Sequence, residues 1–141
     1  MSSGNSPRVE TADLLHSAAI RVLRMVRVED AQAGIGPAQL SALSVMVFGG
    51  AKTVSELAVL EQVRPPTMSR IVDGLVRKKL VQRVENAEDR RMVRVSATAK
   101  GERLMLAGKD RRVKALAARF EALTAADLKT LHAAAQLMLR L

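Results

Sequence analysis

The side chains with the clearest chemical potential are cations and short hydroxyls set close together. Pro66, Thr67, Ser69, Arg70 and Arg77 fall in one stretch, and Asp89, Arg90, Arg91 and Arg94 follow in the next charged one. A guanidinium can fork onto a guanine edge or hold a phosphate, and a short hydroxyl lets a helix approach a phosphate or a thymine methyl. That is the chemistry of holding a polyanion. Bond-making chemistry finds no counterpart: there is no nucleophile–base motif, no glycine-rich phosphate loop and no paired-carboxylate constellation. With no Cys, thiolate zinc, disulfides and thiol redox switching are excluded, and His16 and His132 stand too far apart in sequence to suggest a metal site. The expectation is a protein that is no enzyme, with no catalytic residue, no cofactor and no metal.

The distribution of charge supports that expectation. The 141 residues carry 23 Lys+Arg against 14 Asp+Glu, a formal net charge of +9. The first fifty residues balance, and the excess begins beyond Gln62. Such a surface draws polyanions by counterion release, without sequence preference. Two Phe, no Tyr and no Trp leave few platforms for stacking unpaired bases, which favours duplex DNA over single strands. At 48% apolar and 26% charged, the composition is that of a globular chain. Residues 1–9 lack an apolar core and no apolar run approaches the ~20 residues of a membrane span, so a cytoplasmic protein with no membrane partner is expected.

Positioning these groups falls to a series of short elements. Residues 1–10 read as a disordered tail. From Thr11 to about Asp30, Leu15, Ala18, Ala19, Val22, Met25 and Val26 recur at helical spacing and predict one buried stripe. Gly34-Ile35-Gly36-Pro37 breaks that helix, and a second follows with Leu40, Leu43, Val47 and Phe48 inward until Gly49-Gly50. Thr53-Val54-Ser55-Glu56 is a capping box opening a short helix over 54–61. After Gln62-Val63-Arg64 another helix spans about 65–78, and two helices joined by so tight a turn make a helix-turn-helix. Leu80–Val84 and Met92–Val95 read as strands around the charged tip Glu88-Asp89-Arg90-Arg91. Thr98 caps a long helix to about Leu123, and Thr124 opens the last, with Leu128, Leu131, Ala135 and Met138 on one face.

On a helical wheel, Met68, Ile71, Val72 and Leu75 of the 65–78 helix form the core face. Pro66, Ser69, Arg70, Asp73 and Arg77 lie opposite, on the side that suits a major groove; a solvated face laced by Arg70–Asp73 and Asp73–Arg77 pairs is the plainer alternative. Arg90 and Arg91 on a projecting ribbon suit a narrow minor groove, with Asp89 orienting a guanidinium through a bidentate pair.

The text TVSELAVL, then PPTMSRIVDGLVRKKLVQRV, then EDRRMVRVSATAKG resembles the winged helix-turn-helix of the MarR (multiple antibiotic resistance regulator) family. The helical pattern on either side extends the resemblance to about residues 10–141. It implies a mainly α fold with a small β-wing. N- and C-terminal helices, over 11–33 and 99–141, would form a dimerisation region, and 37–98 a DNA-binding domain. By position it implies DNA contacts from Thr67, Ser69 and Arg70, minor-groove insertion of Arg91 with Asp89 as its orienting partner, and phosphate contacts from Arg90 and Arg94. A homodimeric repressor on a palindromic operator, released by a small apolar or aromatic ligand, is the function it implies. The chain departs from the family at Lys79, where glycine often ends the reading helix, and at Pro65-Pro66, which remove two N–H groups. Lacking Cys, it also has no thiol for peroxide sensing. The competing readings are a protein-interaction module and a non-specific nucleic-acid binder.

Overall fold

The computed structural model describes residues 6–141. Six α-helices and three short strands follow in the order α1 (Pro7–Arg27), α2 (Pro37–Gly49), β1 (Lys52–Thr53), α3 (Val54–Leu60), α4 (Pro65–Arg77), β2 (Val81–Glu85), β3 (Val93–Ala97), α5 (Ala99–Phe120) and α6 (Ala125–Met138). A 3-10 helix, Val28–Ala33, continues α1. The chain divides into two compact units, Glu29–Asp110 and a second made of Arg111–Leu141 with the N-terminal residues through Val28.

The unit Glu29–Asp110 holds the core. Ala42, Leu43 and Met46 from α2 meet Leu57 and Ala58 from α3 and Met68, Val72 and Leu75 from α4. Leu80, Val81, Val95 and Met105 complete it. The face of α4 expected inward is the one buried, with Ile71 at its margin. On α2 the expectation fails at Phe48, which is 60% exposed. Ala42, Leu43 and Met46 define the buried stripe, and a residue two beyond Met46 is carried about 200° around the helix.

The three strands pair antiparallel in the order β1-β3-β2. Thr53 sits opposite Arg94, and Arg83 opposite Val95. β2 and β3 are the expected wing strands, each ending a residue or two later than read from the sequence. β1 was not expected: two residues carry no periodicity, and their partner lies some forty positions on.

Both helices of the helix-turn-helix end in the same backbone motif. The Leu80 N–H donates to Leu75 O at 3.0 Å and the Lys79 N–H to Val76 O at 2.9 Å, with Lys79 left-handed at φ 59°. At the end of α3 the Val63 N–H donates to Ala58 O at 3.0 Å and the Gln62 N–H to Val59 O at 3.2 Å, with Gln62 at φ 55°. These are Schellman closures, in which glycine is the usual left-handed residue. A side chain there costs roughly 1–2 kcal/mol, so the chain carries that cost at Lys79 and again at Gln62. The buried pair Leu75 and Leu80 closes the first motif from the apolar side.

The joint after α4 is fixed by the start of α5. Thr98 accepts from the Gly101 N–H at 3.1 Å, donates its hydroxyl to Lys79 O at 2.7 Å, and its own N–H reaches Leu80 O at 3.0 Å. A Cβ at Gly101 would stand 2.1 Å from that same Leu80 oxygen and 3.1 Å from Leu43 Cδ1. Only glycine lets α5 approach so closely. A second close approach occurs at Gly74, inside α4, where glycine costs about 1 kcal/mol of helix propensity against alanine.

The other unit is formed differently. Residues 7–10, expected in a tail, belong to α1: Pro7 fits the first turn, where no N–H is needed, and Glu10 adds an acid near the helix N-terminus. Residues 1–5 of that expected tail lie outside the described residues. Neither α1 nor α6 buries a single residue. The stripe expected to be buried on α1 reaches at most half-burial, at Leu15, Ala19, Met25 and Val26, while Ala18 and Val22 stay exposed. Leu14, Leu23, Leu128 and Leu137 remain between 46% and 65% exposed. α5 stops at Phe120 rather than Leu123, and Thr124 and Asp127 then form a capping box for α6.

Gly101→Ala should lower the stability of the Glu29–Asp110 unit by about 1–3 kcal/mol, the usual cost of overpacking against atoms that cannot yield. Lys79→Gly should raise it by about 1 kcal/mol. Urea denaturation followed by circular dichroism measures both.

Candidate nucleic-acid interface

The site is built on α4 and the β2–β3 ribbon. Pro65 and Pro66 occupy the first turn of α4, and Arg64 at the cap position offers no side-chain bond. Proline pre-sets the helical φ there, so the helix starts without a cap. With its apolar stripe committed to the core, α4 turns Pro66, Thr67, Arg70 and Arg77 to solvent, and Ser69 is half-buried beside them. These five expected contacts share one exposed side of a single helix.

Asp73 lies on the same side, yet it forms neither of the pairs expected with Arg70 or Arg77. Its carboxylate accepts from the guanidinium of Arg83 on β2. The register explains the choice. Arg83 shares a strand face with buried Val81, so its side chain is directed back over α4. Both partners are more than 40% exposed, and such a pair contributes only about 0–1 kcal/mol. Its effect is geometric: it places a cation at the junction of helix and ribbon. Sequence reading missed Arg83 as a site residue, because the ten-residue separation from Asp73 bridges two elements and fits no helical or strand spacing.

At the ribbon tip, Arg90 and Arg91 are both exposed. Asp89 differs from expectation. Its Oδ1 accepts from the backbone N–H of Arg91 at 2.9 Å, so the carboxylate shapes the turn rather than gripping a guanidinium. A carboxylate two residues before an N–H reaches it without strain, whereas a bidentate side-chain pair would need a long arginine to fold back on itself. Asn86 does the same for the Glu88 N–H at 3.0 Å. The Asn86 N–H donates to Met92 O and the Met92 N–H to Asp89 O, each at 3.0 Å, closing the loop at its base.

Arg94, expected on a phosphate, lies beside an acid of its own chain. Its Nη2 lies 3.5 Å from Glu56 Oε2. The cause is again register: Arg94 pairs with Thr53, the N-cap of α3, and Glu56 reaches back to that same cap. The Thr53 N–H donates to Glu56 Oε2 at 2.7 Å and the Glu56 N–H to Thr53 Oγ1 at 3.1 Å, which is the expected capping box. One carboxylate therefore joins α3, β1 and β3. The backbone donation from Thr53 and, behind it, the charge of Arg94 hold the Glu56 carboxyl below its ordinary value of 4.5. Beside it, Lys52, Ser55, Glu56, Val59 and Leu60 line an open groove on the outer side of α3.

Among the described residues no group of His, Asp or Glu is placed to hold a metal, and no helix is long and apolar enough to cross a membrane. What the arrangement offers is a helix face bearing two arginines and a hydroxyl pair, a ribbon tip bearing two more arginines, and Arg83 between them.

Known proteins share this fold. The sequence pattern of the MarR family matches residues 33–92. An HTH-type transcriptional regulator from Mycobacterium bovis is 35% identical over 127 residues, covering 90% of this chain and 89% of that protein. The crystal structure of the transcriptional regulator Tm0710 from Thermotoga maritima superposes with a TM-score of 0.81 at 26% identity, over 93% of this chain and 95% of that one. A mutant of MepR from S. aureus, solved bound to an oligodeoxyribonucleotide, has the same fold, with a TM-score of 0.71 at 21% identity over 92% and 96% of the two chains.

The lowered Glu56 carboxyl has a defined consequence in acid. Because folding depresses the pKa, its contribution to stability is complete above 4.5 and is lost as pH falls through the lower, folded value. Glu56→Gln keeps a side chain able to complete the capping box but removes the charge facing Arg94. The variant should therefore show a shallower loss of stability than the parent as pH falls below 4.5, in urea titrations run from neutral pH into that acid range.

Proposed function

The chain belongs to the MarR family of winged helix-turn-helix transcriptional regulators, and from that premise we propose that it is a homodimeric repressor reading a palindromic duplex operator. In this reading α4 lies in the major groove with Thr67, Ser69, Arg70 and Arg77 toward the bases and phosphates. The ribbon carries Arg90 and Arg91 to the adjoining minor groove, and Arg83 takes the phosphates that pass between them. The observation that carries the reading is the exposure of all these cations on α4 and the β2–β3 ribbon, while every apolar side chain of α4's opposite face is buried or half-buried.

Dimerisation is supported by the terminal helices. Leu14, Leu23, Leu128, Leu131 and Leu137 are exposed along helices that bury nothing within one chain, and apolar area of that kind is stable in water only when a second surface covers it. A two-fold pair would set the reading helices about 34–36 Å apart and so require a palindrome. In this reading the protein works in the cytoplasm.

Selection from a randomised duplex library tests this directly. The expected product is an inverted repeat, and the parent's affinity for it should fall about 10³–10⁵-fold between 50 and 200 mM salt if six to ten phosphates are engaged. Arg91→Ala should weaken binding at least tenfold with folding intact, and Arg70→Ala should relax preference at one base pair in each half-site, a loss of about 1–3 kcal/mol. Recovery of unrelated sequences with a similar salt slope would make the protein a non-specific binder. No retention on duplex at low salt would leave the protein-interaction reading. Truncation before Ala125 should yield monomers or aggregates in light scattering, and an unchanged dimer would remove α6 from the interface.

A further inference from the structure

Asp73 is the only acid of α4, and it stands near the centre of the side opposite the core. Seven residues after Pro66, it lies about 20° from that residue around the helix, between Ser69 on one flank and Arg70 and Arg77 on the other. An acid in such a place opposes the approach of phosphates. Arg70 stands three residues before it and Arg77 four after, the spacings at which a helix pairs opposite charges, yet the carboxylate takes neither. Its Oδ1 accepts from Nη2 of Arg83 on the ribbon instead. Among the described residues, neither side chain makes any further hydrogen bond or ion pair. Both stay open to solvent, at 47% exposure for Asp73 and 42% for Arg83. Nε and Nη1 of Arg83 are therefore without a partner beside a cation already held in place.

We propose that Asp73 is a positioning residue that makes Arg83 selective: its carboxylate fixes the guanidinium between helix and ribbon, and its charge penalises a duplex whose phosphates miss that guanidinium. A guanidinium is a planar fork of five N–H donors, so a carboxylate can occupy part of it while the rest receives a phosphate. A duplex seated in register presents a phosphate to the free part, and the cation then stands between the two anions. A duplex seated elsewhere meets the acid with no phosphate on Arg83, and the charge counts against it. Held in advance, Arg83 also loses less rotamer freedom on binding than a lone arginine does. The acid thus weakens binding to duplex in general while favouring one register.

This inference rests on the reading of α4 and the ribbon as a duplex-binding face, and the test separates the two. Affinities are measured at one salt concentration for the duplex that the parent enriches from the randomised library and for a scrambled duplex of equal length. Asp73→Asn keeps the shape of the side chain and removes its charge. It should bind the scrambled duplex about twofold to threefold more tightly, the effect of one charge at a distance of roughly 8 Å in water. It should bind the enriched duplex up to about fivefold more weakly, the range of an exposed ion pair. In an Arg83→Gln background the same substitution should tighten both duplexes equally and leave the preference unchanged. Arg83→Lys retains a charge for Asp73 but not the fork, and should lose preference as Arg83→Gln does. The pair is exposed, so every variant should keep the parent's circular dichroism spectrum. A parent-like preference in Arg83→Lys would make the pair a structural fastener and overturn the proposal. Equal tightening of both duplexes by Asp73→Asn alone would overturn it too, leaving the duplex-binding reading intact. A parent that enriches no duplex overturns that reading, and the proposal with it.

Discussion

The fold turns on the contact between the first turn of α5 and the carbonyl of Leu80. That oxygen accepts the Thr98 N–H, and the absence of a side chain at Gly101 lets the helix come down onto it. Through it, three events in the chain are fixed together: α4 ends, β2 begins, and β3 hands over to α5. Thr98 adds a second tether to Lys79 O, and Lys100 Nζ a third to Lys78 O at 3.0 Å. A cation set on the last carbonyls of a helix also opposes its dipole. The angle between reading helix and ribbon is therefore an outcome of packing at their shared root.

From that root outward, acids serve as fasteners. Asp73 ties Arg83 to α4, Glu56 ties Arg94 to the cap of α3, and Asp89 folds the ribbon tip. In a surface that attracts polyanions these carboxylates look adverse when counted as charges. Each is matched to a donor of the same chain, so the exposed arginines Arg70, Arg77, Arg90 and Arg91 dominate what an approaching duplex meets.

Much of this was legible in the sequence, and for identifiable reasons. The Thr53–Glu56 capping box follows a fixed spacing, the buried face of α4 follows helical periodicity, and the ribbon follows its alternation and charge. What escaped depends on tertiary register. β1 exists only because Thr53 meets Arg94, the Asp73–Arg83 pair spans two elements, and the turn of Arg94 toward Glu56 depends on both. The stripes of the terminal helices were legible too, and within one chain they stay exposed or half-buried, because a periodic stripe predicts that a surface will be covered without saying by which chain. Lys79 shows the limit of composition-based rules: the left-handed position is there as the glycine pattern implies, and a lysine occupies it at a local cost.

The turn held by Asp89 carries a consequence for how its position can vary. What the loop uses is an oxygen at a fixed reach from the backbone, and Asn86 supplies the same from an uncharged amide three residues earlier. Reach, then, is the property under constraint there, ahead of charge. An asparagine meets it, whereas a glutamate, one methylene longer, keeps the formal charge and loses the turn.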